Sequence, residues 1–110
     1  MGIQKKLKIS SKKAQKDTSR SGLIKKGKFV IIRWLETDRV QTGFMIGISS
    51  KIIPLASRRN RLKRVIIELL NKTNSKIRSG TSMSVGLSKA GQDQEIIKDL
   101  SDILKNNFYV

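Results

Sequence analysis

The chain has no cysteine and no histidine, a single proline (Pro54), three phenylalanines with one tryptophan and one tyrosine, and 8 acidic residues against 24 lysines and arginines. Each shortage removes a class of chemistry. Without cysteine there is no disulfide framework, and nothing can be read about the redox compartment. Without cysteine or histidine there is no Ser-His or Cys-His nucleophile pair, no ordinary zinc site, and none of the commonest general base. Nucleases that use their own metal gather several carboxylates around it, yet no acid lies between Lys51 and Arg64, the most basic part of the chain. An autonomous hydrolase is therefore not expected. The glycines form no phosphate loop, because residues 86–91 (G-L-S-K-A-G) lack the required spacing. No apolar run approaches the roughly 20 residues of a membrane-spanning helix.

What remains is a chain of 110 residues with 37% hydrophobic content, enough for one globular domain with a modest core. Its formal charge of +16 repels itself in a compact state unless a polyanion neutralises it. Nucleic acid is the leading partner; the competing reading is a basic protein that is merely very soluble.

The charge is concentrated in residues 50–70, S-K-I-I-P-L-A-S-R-R-N-R-L-K-R-V-I-I-E-L-L. Six cations (Lys51, Arg58, Arg59, Arg61, Lys63, Arg64) precede the densest aliphatic run. At 100° per residue, Leu62, Val65, Ile66, Leu69 and Leu70 share a stripe that should be core, with Asn60, Arg61, Lys63, Arg64 and Glu68 opposite and Ile67 off the stripe. Ser57 is placed to cap the helix, after the break at Pro54. The cations then crowd the helix N-terminus, where they oppose the dipole unless a polyanion reverses the sign. Arg59 projects close to the stripe, so its stem can lie over the core while its head reaches outward. Asn60 has two readings of equal weight, a contact to phosphate, 2′-OH or base edge, and a simple helix-capping residue. A helix-turn-helix DNA reader needs a preceding helix where this sequence has a strand and Pro54. A membrane-surface helix would want Trp or Phe at the boundary, and residues 58–70 have neither.

Residues 1–28 hold ten cations and one acid, Asp17. The segment is Lys-rich and has no apolar helical stripe, which argues against a transit peptide, and Lys6 occupies the position where a myristoylation signal needs Ser or Thr. The expected location is the cytoplasm. A short helix starting at Ser10 or Ser11 and ending at Gly22 would have Ala14 and Thr18 as its buried candidates. Residues 28–35 read as an inner strand, with Val30, Ile32 and Trp34 on one face and Phe29, Ile31 and Arg33 on the other, followed by a turn at residues 36–38. Residues 40–49 read as a second strand, with Thr42, Phe44, Ile46 and Ile48 on the core side and Gly43, Met45, Gly47 and Ser49 on a small, flat side that can accept something laid across it. Residues 71–80 read as helix end and loop. Residues 81–87 alternate Met83, Val85 and Leu87 against Ser82, Ser84 and Gly86, a strand with one buried face. Ile96, Ile97, Leu100, Ile103 and Leu104 give a closing helix from residue 93 to about 106. Its acids, Asp93, Glu95, Asp99 and Asp102, spread along a solvated face that should point away from RNA.

The segment Arg59-Asn60-Arg61-Leu62-Lys63-Arg64, with Ser50-Lys51 and Ala56 upstream, resembles the S-K-K-x-G-x-A-x-x-R-N-R-x-K-R pattern of the protein subunit of bacterial ribonuclease P, without a gap from Ser50 to Arg64. Ile52, Pro54 and Ile67 stand where that family usually has Lys, Gly and Arg. The resemblance implies an α+β fold, a mixed β-sheet with helices packed on it in the order α-β-β-α-β-α. It also implies a left-handed β-α-β crossover, where general connection rules would give a right-handed one. It further implies a catalytic RNA subunit that works with Mg²⁺, a protein carrying no cofactor of its own, and the precursor tRNA leader as a second partner; neither a membrane nor a small-molecule ligand is expected. On this reading Lys51, Arg58, Arg59, Asn60, Arg61, Lys63 and Arg64 bind RNA, and Gly47, Ser49 and Ser50 line the leader-binding face. The domain plan is a basic, partly disordered segment at 1–27 and one α/β RNA-binding domain at 28–110. The alternative is a ribosomal or other structural RNA-binding protein of related fold.

Overall fold

The computed structural model describes residues 18, 20, 23–36, 43–77 and 80–109. Four strands, β1 (Ile24–Lys26), β2 (Val30–Glu36), β3 (Gly43–Ile46) and β4 (Thr81–Leu87), form one sheet in the order β1-β2-β4-β3. β2 pairs antiparallel with β1 and β4, whereas β3 runs parallel to β4, so the sheet is mixed. The parallel pair is joined through helix α1 (Ala56–Thr73) and a 3-10 turn at Asn74–Lys76, and helix α2 (Asp93–Asn107) closes the fold.

Register follows alternation. Val30, Ile32 and Trp34 stand opposite Leu87, Val85 and Met83, and on the other edge Phe44 and Ile46 stand beside Met83 and Val85. That face packs on Leu62, Ile66 and Leu70 of α1 and on Ile96, Leu100, Ile103 and Leu104 of α2, with Val30, Ile32, Phe44, Leu62, Leu70 and Leu100 all fully buried. Beyond α2, Phe108 is also fully buried, edge-on to Trp34 with ring centroids 5.5 Å apart, and Tyr109 bridges back to Ile77. The other sheet face carries Ile31, Arg33, Leu35, Met45, Ser84 and Gly86, all half-buried.

A carboxylate on α2 locks the helix to the sheet. Asp99 accepts hydrogen bonds from the backbone N–H groups of Lys28, Phe29 and Val30 at 3.1, 2.9 and 2.9 Å. Three donors converge on one side chain because the chain turns sharply between β1 and β2, and Gly27 permits it: a Cβ there would collide with the Asp99 carboxylate. The expectation that Asp99 lies on a solvated face is thus corrected, since periodicity cannot see donors about 70 residues away in sequence.

Three further expectations change. β1 is a strand that hydrophobic patterning does not mark, because all three of its residues are exposed; it lies within the segment read as the basic N-terminus. The second strand spans Gly43–Ile46, and residues 47–49 leave the ladder apart from the Gly47 N–H, which reaches the Val85 carbonyl at 3.0 Å. Ser57 does not cap α1: the N-cap is Leu55, in extended conformation, so Ser57 falls in the first turn. The helix also runs past Asn71 to Thr73, whose hydroxyl bonds the Leu69 carbonyl at 2.8 Å. The short helix expected before Gly22 lies outside the described residues except at Thr18, which is helical and fully buried, and Arg20, an exposed turn residue. The turn expected at residues 36–38 lies beyond them after Glu36. No helix among the described residues is long and apolar enough to cross a membrane.

Candidate nucleic-acid interface

The turn from β3 into α1 is wound around Ser49. Its carbonyl accepts from the N–H groups of Ile52 and Ile53 at 3.1 and 3.0 Å, and its hydroxyl oxygen accepts from Lys51 N–H at 3.1 Å. Ile53 is buried and Ile52 half-buried, so the turn is pinned to the core from below. From the helix side, Arg59 Nη1 donates to the carbonyls of Ile53 and Pro54 at 2.9 and 2.8 Å. The head of Arg59 therefore holds the turn closed instead of reaching outward.

This fixes the start of α1 with an unusual charge pattern. The helix has no side-chain cap and no acid in its first turn, so the positive end of its dipole is uncompensated and stands beside Arg58 and Arg59. α2 shows the opposite arrangement, with Asp93 and Glu95 in its first turn. Lys51, Asn60, Arg61 and Arg64 are exposed and Lys63 is half-buried. Among the described residues Lys51, Lys63 and Arg64 make no ion pair.

Arg58 and Arg61 do meet an acid. Arg58 Nη2 donates to the Gly91 carbonyl and lies 3.4 Å from Asp93 Oδ1, while Arg61 Nε lies 3.4 Å from Asp93 Oδ2. At that length these are ion pairs with poor hydrogen-bond geometry. The acidic helix therefore does not point wholly away from the basic one, because its first residue abuts the first two turns of α1. A Cβ at Gly91 would meet the Phe29 ring, which in turn lies beneath the Lys89 ammonium, 5.2 Å from the ring centroid.

Gly47, Ser49 and Ser50 are all exposed at the end of β3, where the chain passes from the sheet to the basic helix. A Cβ on Gly47 would find nothing within 4 Å, so packing does not demand a glycine there. The structure thus brings Gly47, Ser49, Ser50 and Lys51 into one turn leading directly to the first two turns of α1, but it diverts Arg58 and Arg59 largely to internal bonds. A residue the site reading passed over is Arg33, at the centre of the sheet face that also carries Met45 and Ser84, opposite Ser84 in the ladder. Strand alternation was enough to place it away from the core.

Among the described residues, a mixed four-stranded sheet with helices α1 and α2 packed on it, and a cation-rich helix start at its edge, defines a small basic α+β protein. A family model described as Ribonuclease P matches residues 3–107. Solved structures with the same fold include the ribonuclease P protein of Staphylococcus aureus, with TM-score 0.76 and 19% identity, covering 100% of this chain and 99% of that one. A mutant of the Staphylococcus aureus protein with defective mRNA degradation activity gives TM-score 0.78 and 19% identity over 91% of this chain and 86% of that one. The Thermotoga maritima protein gives 0.69 and 19% over 81% and 86%. No curated protein sequence matches the chain. The chain belongs to the ribonuclease P protein family and is a protein component of that RNA-partnered, tRNA-processing enzyme.

Proposed function

We propose that this protein binds the catalytic RNA of ribonuclease P through α1 and the 5′ leader of precursor tRNA along the small-residue end of β3, assisting 5′ maturation of tRNA in the cytoplasm. The observation that carries the reading is the start of α1, a helix N-terminus with no side-chain cap and no acid in its own first turn, near which Lys51, Lys63 and Arg64 make no ion pair among the described residues. Left alone, such an end is mildly unfavourable; facing phosphate, its free N–H groups and side chains all contribute with the same sign. Lys51, Asn60, Arg61, Lys63 and Arg64 make the direct contacts, and Arg58 and Arg59 shape the surface that presents them. Gly47, Ser49 and Ser50 offer a low surface on which a single strand can lie, with Ser hydroxyls to meet phosphate or 2′-OH.

The chemistry belongs to the RNA. Membership of the ribonuclease P family supports an RNA-partnered enzyme, and on this reading Mg²⁺ acts with the RNA subunit and no step is assigned to this chain. The protein's part is to neutralise phosphate where RNA strands converge and to position the leader. Reconstitution tests this: added to a bacterial ribonuclease P RNA at low Mg²⁺, the protein should restore leader cleavage, and the Lys63→Ala/Arg64→Ala variant should need more protein for the same rate. Failure of the wild-type protein to stimulate cleavage, or cleavage by RNA-free protein alone, would contradict the proposal.

A further inference from the structure

We infer that Asp93 is a built-in counter-ion for the RNA-binding helix, a carboxylate that holds Arg61 until an RNA phosphate takes its place. The inference rests on the reading that Arg61 meets phosphate, and it adds a device that sets how tightly the helix binds.

The two arginines at Asp93 are not equivalent. Arg58 has a side chain 33% exposed and is held at a second point by the Gly91 carbonyl. Arg61 is 66% exposed and touches Asp93 through Nε alone. Asp93 also has support of its own, since it opens α2, where the positive end of that helix favours a carboxylate. If Arg61 leaves, Asp93 keeps Arg58 and the helix end, so the exchange strands no charge. A phosphate that takes the guanidinium edge containing Nε competes with the Asp93 carboxylate for it. An RNA that binds Arg61 at that edge must displace Asp93. For an exposed pair this lowers affinity by a factor of up to about five. The arrangement answers a problem that a chain of +16 creates, which is indiscriminate attachment to any polyanion.

The test is a double-mutant cycle on the full chain with bacterial ribonuclease P RNA, comparing Asp93→Asn, Arg61→Ala, their combination, and Asp102→Asn, which removes one charge from an exposed site on the same helix. Asp93→Asn should tighten binding by about two- to fivefold at low salt and steepen the log-log salt dependence by up to roughly 0.7 to 0.9. The gain should vanish in the Arg61→Ala background and exceed that of Asp102→Asn. Weaker binding by Asp93→Asn, a gain that survives Arg61→Ala, or one matched by Asp102→Asn would overturn the inference. If Arg61→Ala and Lys63→Ala/Arg64→Ala all bind like wild type, the RNA-binding reading itself fails. If those variants lose affinity while Asp93→Asn is neutral, only the counter-ion role fails. Should Asp93→Asn fold poorly, Asp93→Ser, a residue suited to a helix start, provides the same comparison.

Discussion

Arg59, Arg61 and Arg64 lie within six residues and do three different jobs. Arg59 is a structural cation whose guanidinium ties two carbonyls of the preceding turn, Arg61 is shared with Asp93, and Arg64 is exposed and makes no ion pair among the described residues. Arg59→Ala should therefore lower stability by about 1–2 kcal/mol, because two charge-assisted hydrogen bonds disappear from a turn packed on Ile53. Thermal or urea unfolding measures this, and an unchanged midpoint would show that the two bonds contribute nothing. Helical position sets the stem of Arg59 near the apolar stripe and leaves its head free to reach outward, whereas in the structure the head bonds the carbonyls of Ile53 and Pro54. A helical wheel locates a Cβ, whereas the destination of a long side chain depends on which carbonyls the preceding turn leaves open. The same limit applies to Ser57: its residue type suits a cap, but the chain enters the helix two residues earlier, at Leu55.

Among the elements, those with one buried face were legible before the structure. β4 occupies the expected residues, Thr81–Leu87, because Met83, Val85 and Leu87 alternate with small residues, and α2 begins at Asp93 as its apolar periodicity implies. β1 left no such mark, because Ile24, Lys25 and Lys26 are all exposed, and the strand is held by its pairing to β2. What joins elements was also invisible: Asp99 on α2 meets three N–H groups at the start of β2, and only a glycine at position 27 leaves room. Gly27→Ala and Asp99→Ala should each destabilise the fold, Asp99→Ala by about 2–3 kcal/mol through orphaned, partly buried donors. Because both break one clamp, the double variant should cost clearly less than the sum. Equal additivity in chemical denaturation would mean that the two residues act separately.

For the molecule as a whole, charge is sorted by helix. Four of the eight acids lie on α2, where Asp93 and Glu95 suit that helix's own dipole, while α1 begins with cations and no anion. The two helix starts meet at Asp93, which pairs with Arg58 and Arg61, while Lys51, Lys63 and Arg64 make no ion pair among the described residues. The most direct test is the salt-dependent affinity of Arg64→Ala for bacterial ribonuclease P RNA, measured beside its melting temperature. The account predicts weaker binding, a log-log salt slope flatter by roughly 0.7 to 0.9, and a Tm close to that of the wild type, since an exposed cation near a helix start adds little to the fold. A marked fall in Tm with an unchanged salt slope would show that the basic helix holds the protein together and does not grip RNA.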